Sequence, residues 1–262
     1  MVQRKYGWKK DKPDERDFKY SAELLLPIKT VYLNPDNGYK VPPVWDQKNL
    51  GACTGFGWAF LIQFDLLNKN FQNAPEPNYS PSQLFIYWWE RFIEGTTDED
   101  SGAEIRDGAK AVNKYGACDS IYWPYIEQAA YEPPTPAAVE NALLYKSIQY
   151  KKLNNTNKQM LVDALQRGFP IVFGMTVYSS FESDQVNETG IVPYPLNTET
   201  VLGGHCMAIV GYHMGEGDDD TFIVRNSWGK DWGAHGGYCR IPTRYLCEAS
   251  LASDFWILQL VA

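Results

Sequence analysis

Hydrophobic periodicity changes character once along this chain, near Gly168, and that change narrows the folds open to it. Before it, apolar residues recur at helical steps. After it, short β-branched and aromatic runs alternate with Gly- and Asp-rich turns. Phe56, Phe60, Phe64 and Leu67 fall at four- and three-residue steps on one face of a helix that opens at Cys53 and ends before Pro75 and Pro77. Ser80-Pro81-Ser82-Gln83 reads as a capping box with Pro at the first helical position, opening a helix through Phe92. Ser101-Gly102-Ala103-Glu104 reads as a second box, for a helix stopping near Gly116, and Thr156-Asn157-Lys158-Gln159 as a third, closed by Gly168. Pro133 to Pro136 mark a turn-rich boundary with a short helical stretch after it. Beyond Gly168, residues 171–177, 207–212, 221–225, 238–241 and 255–260 read as strands. Helices first and strands later predict an α+β fold in two lobes. The expected divisions are an extended, proline-broken arm over 1–42, a helical lobe over 43–135 and a β-rich lobe over 136–262.

Charge and cysteine usage exclude several functions. A formal net charge of −8 argues against non-specific binding to nucleic acid or an anionic membrane. Lys9, Lys10 and Lys12 do not alter this, being interleaved with acids. The first twelve residues are polar and carry no apolar core of a secretory signal, and no apolar run is long enough to span a bilayer. Five cysteines, odd in number and widely spaced, argue against a disulfide framework and for a reducing compartment, so a cytoplasmic location is expected. The 15% aromatic content suits dense packing or an aromatic-lined cleft equally.

Within this frame one cysteine is placed for chemistry. Cys53 directly precedes the first helical pattern, so it meets unpaired main-chain N–H groups and the positive end of the helix dipole, both of which favour a thiolate. Gly51, Ala52 and Gly55 around it are small enough for close approach. The commoner role of a cysteine is that of a small buried hydrophobe, and position alone does not decide between the two. Only three histidines are available as a base: His205, His213 and His235. If residues 215–218 turn a hairpin and Tyr212 pairs with Thr221, Met207 lies opposite Asn226 and His205 opposite Trp228. Asn226 is then a diagonal neighbour of His205 on the same face. Its amide can hold one imidazole nitrogen while the other faces the thiol, with Trp228 shielding the bond from water. A register slip of one residue breaks this arrangement. His213 and His235 have no such partner and read as surface residues.

These segments together resemble the papain-like cysteine peptidases. Gly204-His205-Cys206-Met207-Ala208-Ile209-Val210-Gly211-Tyr212 is similar to the family's histidine strand. Val224-Arg225-Asn226-Ser227-Trp228-Gly229 with Trp232-Gly233 and Gly237-Tyr238 is similar to its Asn-Ser-Trp-Gly segment. The family's Trp-Ala-Phe tripeptide, which follows the nucleophile directly, stands here as Trp58-Ala59-Phe60 after Gly57, and aligning on it would leave a glycine at the catalytic position. The family's oxyanion glutamine precedes the nucleophile by six residues, the separation of Gln47 from Cys53, which selects Cys53.

The resemblance covers residues from about 40 to 262. It implies a two-lobe α+β fold, a helical lobe beside an antiparallel β-barrel-like lobe, with the active site in the cleft between them. It implies Cys53, His205, Asn226 and Gln47 as catalytic residues. Gly102 and Ala103 would present main chain to an extended peptide or protein substrate, Gly174 and Gly203 would line a side-chain pocket, and Trp228 would shield the histidine. No cofactor and no metal are implied; a metal site at His205, Cys206, Cys239 and Cys247 lacks standard ligand spacing. The arm is much shorter than the inhibitory pro-segments of secreted relatives, which leaves it as a latch, a pro-segment or simply part of the fold. Two further functions use the same residues: a transpeptidase capturing the acyl-enzyme with an amine, and an inactive binding module.

Overall fold

The computed structural model describes residues 4–21, 24–68, 78–146, 148–216 and 219–260. The chain begins with two short strands, β1 (Trp8–Lys9) and β2 (Val31–Tyr32). Three helices follow, α1 (Cys53–Asn68), α2 (Gln83–Glu94) and α3 (Ile105–Tyr115), with the short β3 (Ala103–Glu104) just before the last. Then come α4 (Pro136–Ala142), β4 (Ile148–Leu153), α5 (Lys158–Gln166), β5 (Ile171–Tyr178), α6 (Asp184–Thr189) and β6 (Val201–His213). β7 (Thr221–Arg225), β8 (Tyr238–Pro242), α7 (Thr243–Leu246) and β9 (Ala252–Leu260) complete the chain.

The helix starts differ from expectation in an instructive way. Ser82, not Ser80, caps α2, its hydroxyl accepting from the Phe85 N–H at 3.1 Å, because the Ser80 main chain is engaged in pairing with Ser120. Asn157, not Thr156, caps α5, accepting from the Met160 N–H at 3.1 Å. At α3 the cap position is Glu104 with no side-chain cap, since residues 103–104 are held as strand and the helix cannot begin until they end. Gly116 ends α3 with φ +80°, a left-handed turn that glycine adopts without strain. Pro75 and Pro77, expected to close α1, lie outside the described residues.

α1 is apolar on all sides rather than on one face. Phe56, Phe60 and Phe64 are buried, but so are Trp58, Leu61 and Ile62. Such a helix belongs between layers. It packs on α2 and α3 on one side and on β5, β6 and β9 on the other.

The strands build a seven-stranded antiparallel sheet in the order β4-β9-β5-β6-β7-β8, with β2 pairing β6 beside its far end. β4 and β8 are the ends of the sheet and are not joined to each other, so among the described residues no closed barrel forms. The fold is α+β, as the helical first half and stranded second half imply. β4 and the arm's two strands carry too few residues in alternation to be read from pattern.

The β6–β7 pairing holds a bulge that matters for the site. Near the turn the pairs are His213↔Thr221, Tyr212↔Phe222 and Gly211↔Ile223, one residue off the expected register. Val210 is then an unmatched extra residue, and the pairs resume as Ile209↔Val224 and Ala208↔Arg225. The expected register fails at the turn and holds at Ala208↔Arg225, the pair that precedes Asn226.

Candidate active site

Cys53 is the first residue of α1 and is fully buried. Burial pushes its thiol up to about 12, with the nearby main chain of Cys206 and Gly7 opposing the shift. Gly57 lies one turn deeper. A Cβ there would come within 2.7 Å of Val172 Cγ2 and 3.1 Å of Cys206 Sγ. Position 57 is therefore wedged against β5 and β6 with no room for a reacting side chain, whereas position 53 faces the cleft.

His205 and Asn226 meet on the β6–β7 pair, with Nε2 and the Asn226 Oδ1 at 2.8 Å. The Trp228 ring stacks on the imidazole at 5.0 Å and 26° between planes, and Tyr6 meets it edge-on at 5.9 Å. Burial drives His205 down to about 4. The Asn226 bond opposes this shift and the nearby charge of Arg4 adds to it. Nδ1 of His205 has no hydrogen-bond partner among the described residues. Burial thus disfavours the charged form of both thiol and imidazole, and Nδ1 makes no bond to the sulfur. The physical reason is the enclosed state of the cleft, which removes the water either charge would require.

Gln47 is also fully buried. Its Oε1 accepts from Ser227 Oγ at 2.6 Å, and its Nε2 donates to the carbonyls of Leu50 at 2.9 Å and Lys5 at 3.2 Å. Ser227 thus links the glutamine to the asparagine's strand, since its own N–H donates to Asn226 Oδ1 at 2.8 Å. The sequence reading passed over Ser227, although it stands inside the Asn-Ser-Trp-Gly segment.

What encloses the cleft is the arm, which sequence left without a place. Residues 4–12 run between the helices and the sheet. β1 pairs with β3 in parallel, Trp8 with Ala103 and Lys9 with Glu104, and the Gly7 carbonyl accepts from the Ala103 N–H at 2.8 Å. Gly102, at φ +71°, allows this approach, since a Cβ there would come within 2.1 Å of the Gly7 oxygen. A Cβ on Gly203 would meet the Tyr6 side chain at 2.7 Å, and one on Gly174 would meet the Trp8 ring at 2.0 Å. Lys5 pairs with Asp100 at 2.5 Å and Lys9 with Glu94 at 2.7 Å. Arg106 holds Asp17 through two bonds of 2.7 Å, and its main-chain N–H donates to the Asp11 carboxylate at 3.0 Å. The signal for all this was Lys5-Tyr6-Gly7-Trp8-Lys9, an alternating basic and aromatic run in an acidic chain.

All nine residues singled out in sequence thus border one cleft or the arm within it. His213 and His235 are exposed. Among the described residues no three His, Cys, Asp or Glu side chains gather as a metal-binding group, and no helix is long and apolar enough to cross a membrane.

The family profile described as papain family cysteine protease matches residues 33–255. An uncharacterised peptidase C1-like protein of Acanthamoeba polyphaga mimivirus is 37% identical, over 99% of this chain and 88% of its own. A cathepsin B-like protein of Giardia intestinalis is 32% identical over 84% of this chain and 69% of its own. The crystal structure of xylellain, a cysteine protease from Xylella fastidiosa, superposes with a TM-score of 0.85 at 33% identity, covering all of both chains. The chain belongs to the papain family of cysteine proteases.

Proposed function

We propose that this peptidase cleaves peptide bonds through Cys53 and His205 and that its own arm holds it latent. The observation that carries this reading is a peptide already lying across the nucleophile. The Gln47 amide donates to the Lys5 carbonyl at 3.2 Å, and the Gly7 main chain packs against Gly51, two residues before Cys53. The arm therefore takes the main-chain partners that a substrate peptide would take, Gln47 and Ala103.

When the arm withdraws, water and a polar substrate replace it, and the burial that keeps both groups neutral is lifted. The thiol proton then passes to the imidazole, giving a thiolate–imidazolium pair. The Cys53 thiolate attacks the substrate carbonyl, and the oxyanion is held by the Cys53 main-chain N–H and the Gln47 Nε2. His205 donates its proton to the leaving amine. It then takes a proton from the water that hydrolyses the acyl-enzyme. Asn226 holds the ring on its Nε2 side throughout, leaving Nδ1 for the proton. The substrate main chain takes the place of Gly7 on the Ala103 N–H.

The test exploits Gly7, where an added Cβ would come within 1.7 Å of the Gly51 oxygen, so that Gly7→Val expels the arm. Iodoacetamide labelling at pH 5, mapped by mass spectrometry, is expected to leave Cys53 silent in the unaltered chain and to modify it rapidly in Gly7→Val. Peptide hydrolysis should appear in parallel, and His205→Ala should abolish both. A Cys53 in Gly7→Val that reacts no faster than the other cysteines sinks the peptidase mechanism.

A further inference from the structure

The arm lays the half-buried Trp8 side chain into the cleft, and the surface receiving it has a shape and a polar end of its own. Its floor is main chain. Cβ atoms on Gly174 and Gly204 would come within 2.0 and 2.7 Å of the indole, so any side chain at either position closes the space. Its far end is Asp254, buried at 5% exposure, whose Oδ2 accepts from the Trp8 Nε1–H at 3.2 Å and from the Asp11 N–H at 2.8 Å.

The backbone aims this carboxylate deliberately. β5 and β9 pair as Val172↔Trp256 and then Gly174↔Ser253, so β9 carries one residue more than β5 between these pairs. The bulge includes Asp254, which takes φ +60°, a left-handed conformation that aspartate, asparagine and glycine tolerate best. A regular strand would alternate Asp254 across the sheet; the bulge turns it into the pocket instead. Lys152 Nζ stands 3.8 Å from the other oxygen, Oδ1. The carboxylate is thus already beside a positive charge on one side, and its open oxygen takes neutral N–H donors.

We infer that Asp254 is a specificity-determining residue, and that the glycine-floored pocket selects substrate peptides carrying a tryptophan side chain. This rests on the peptidase reading only in taking the cleft to be where substrates bind. A flat indole fits between Gly174 and Gly204 where a branched side chain meets main chain, and the ring N–H separates indole from other aromatic groups. An aromatic ring of the same shape without the N–H leaves the buried Asp254 Oδ2 one donor short, with the Asp11 N–H alone, a mismatch that binding sites reject.

The experiment uses the full-length chain carrying Gly7→Val and Trp8→Ser, so that the pocket is vacated while the Arg106–Asp17 anchor remains. Peptides differing at a single position, scanned along their length, carry Trp, 2-naphthylalanine, Phe or Arg. Binding is read by fluorescence anisotropy in a Cys53→Ala background and hydrolysis as kcat/KM with Cys53 intact. At one peptide position Trp should exceed 2-naphthylalanine by about tenfold or more, the worth of a hydrogen bond to a buried charged acceptor. Asp254→Gly, which accepts the positive φ but removes the acceptor, should bring that ratio to about twofold or less.

Equal affinities for Trp and 2-naphthylalanine, an Arg peptide outranking the Trp peptide, a ratio that survives Asp254→Gly, or no binding by any peptide each overturn the inference. Selective binding without hydrolysis leaves the pocket assignment standing and removes the peptidase mechanism. Hydrolysis without selectivity does the reverse.

Discussion

Gln47 shows how a single side chain can serve both states of the cleft. Ser227 and Leu50 fix its amide plane from two directions, so the hydrogen aimed at the Lys5 carbonyl is held in position before any substrate arrives. A donor oriented in advance contributes most where charge develops, at the oxyanion. In the arm-expelled Gly7→Val chain, Gln47→Ala should therefore lower kcat by about 10²–10³-fold with little change in KM. Steady-state kinetics on a fluorogenic peptide measures both, and a change confined to KM would place Gln47 in ground-state binding alone. Asn226 differs in kind: its oxygen is shared between His205 and the Ser227 N–H, so it fixes a ring without adding charge.

At the scale of elements, Gly57 reports on how tightly α1 is seated. With Val172 and Cys206 crowding the place of its missing Cβ, Gly57→Ala should destabilise the chain by about 1–3 kcal/mol, the range for overpacking a filled core. Thermal unfolding would register this as a lowered Tm, and an unchanged Tm would mean that α1 can slide. The same elements show what pattern could and could not reveal. The α+β division, α1, α2, α3 and α5, and five of the strands were legible because apolar periodicity and glycine stops are local signals. The starts of α2, α3 and α5 were legible only to within one to three residues, because Ser80 and Ser101 carry cap chemistry while neighbouring strand pairing claims the backbone there. Residues His205, Asn226 and Gln47 could be named in advance from motif and spacing. The unmatched Val210 could not, because a bulge arises from pairing between distant segments and leaves no mark in either one. The arm's place was hidden for the same reason: its partners Ala103, Gly174 and Gly203 are far from it in sequence, and glycines announce room without naming the guest.

Across the whole molecule, His205 and Asp11 respond to pH in opposite senses when the arm docks, with Asp254, also raised by burial, on the side of Asp11. His205 is held down to about 4, so the docked chain binds fewer protons there than the open one, and acidification from about 6.5 towards 4 weakens docking. Asp11 on the arm is held above its ordinary range, first by burial and then by the charge of Asp254, with Arg106 opposing. The docked chain therefore binds a proton there more readily, and docking weakens as pH rises above about 4. Over this shared window the two slopes oppose each other. Asp11→Asn removes one and should leave a chain whose arm opens progressively as pH falls from about 6.5 to 4. Hydrogen-exchange protection factors at the Gly7 and Lys9 amides, corrected for intrinsic rates, follow this directly. Protection in Asp11→Asn that stays constant or grows on acidification would show that His205 does not titrate with docking. Lys152, Arg106 and Asp254 face Asp11, and Arg4 faces His205.

Because the cleft and its occupant belong to one continuous chain, closure is a first-order event whose extent is the same in a dilute or a concentrated solution. Tethering gives the arm an effective concentration on the order of millimolar, far above what most proteins reach in free solution. A single cut in the backbone just beyond Asp17 would leave every contact of residues 4–12 in place and yet change the governing law. The arm would become a separate ligand, held by its own dissociation constant, and dilution alone would then decide how many molecules stand open.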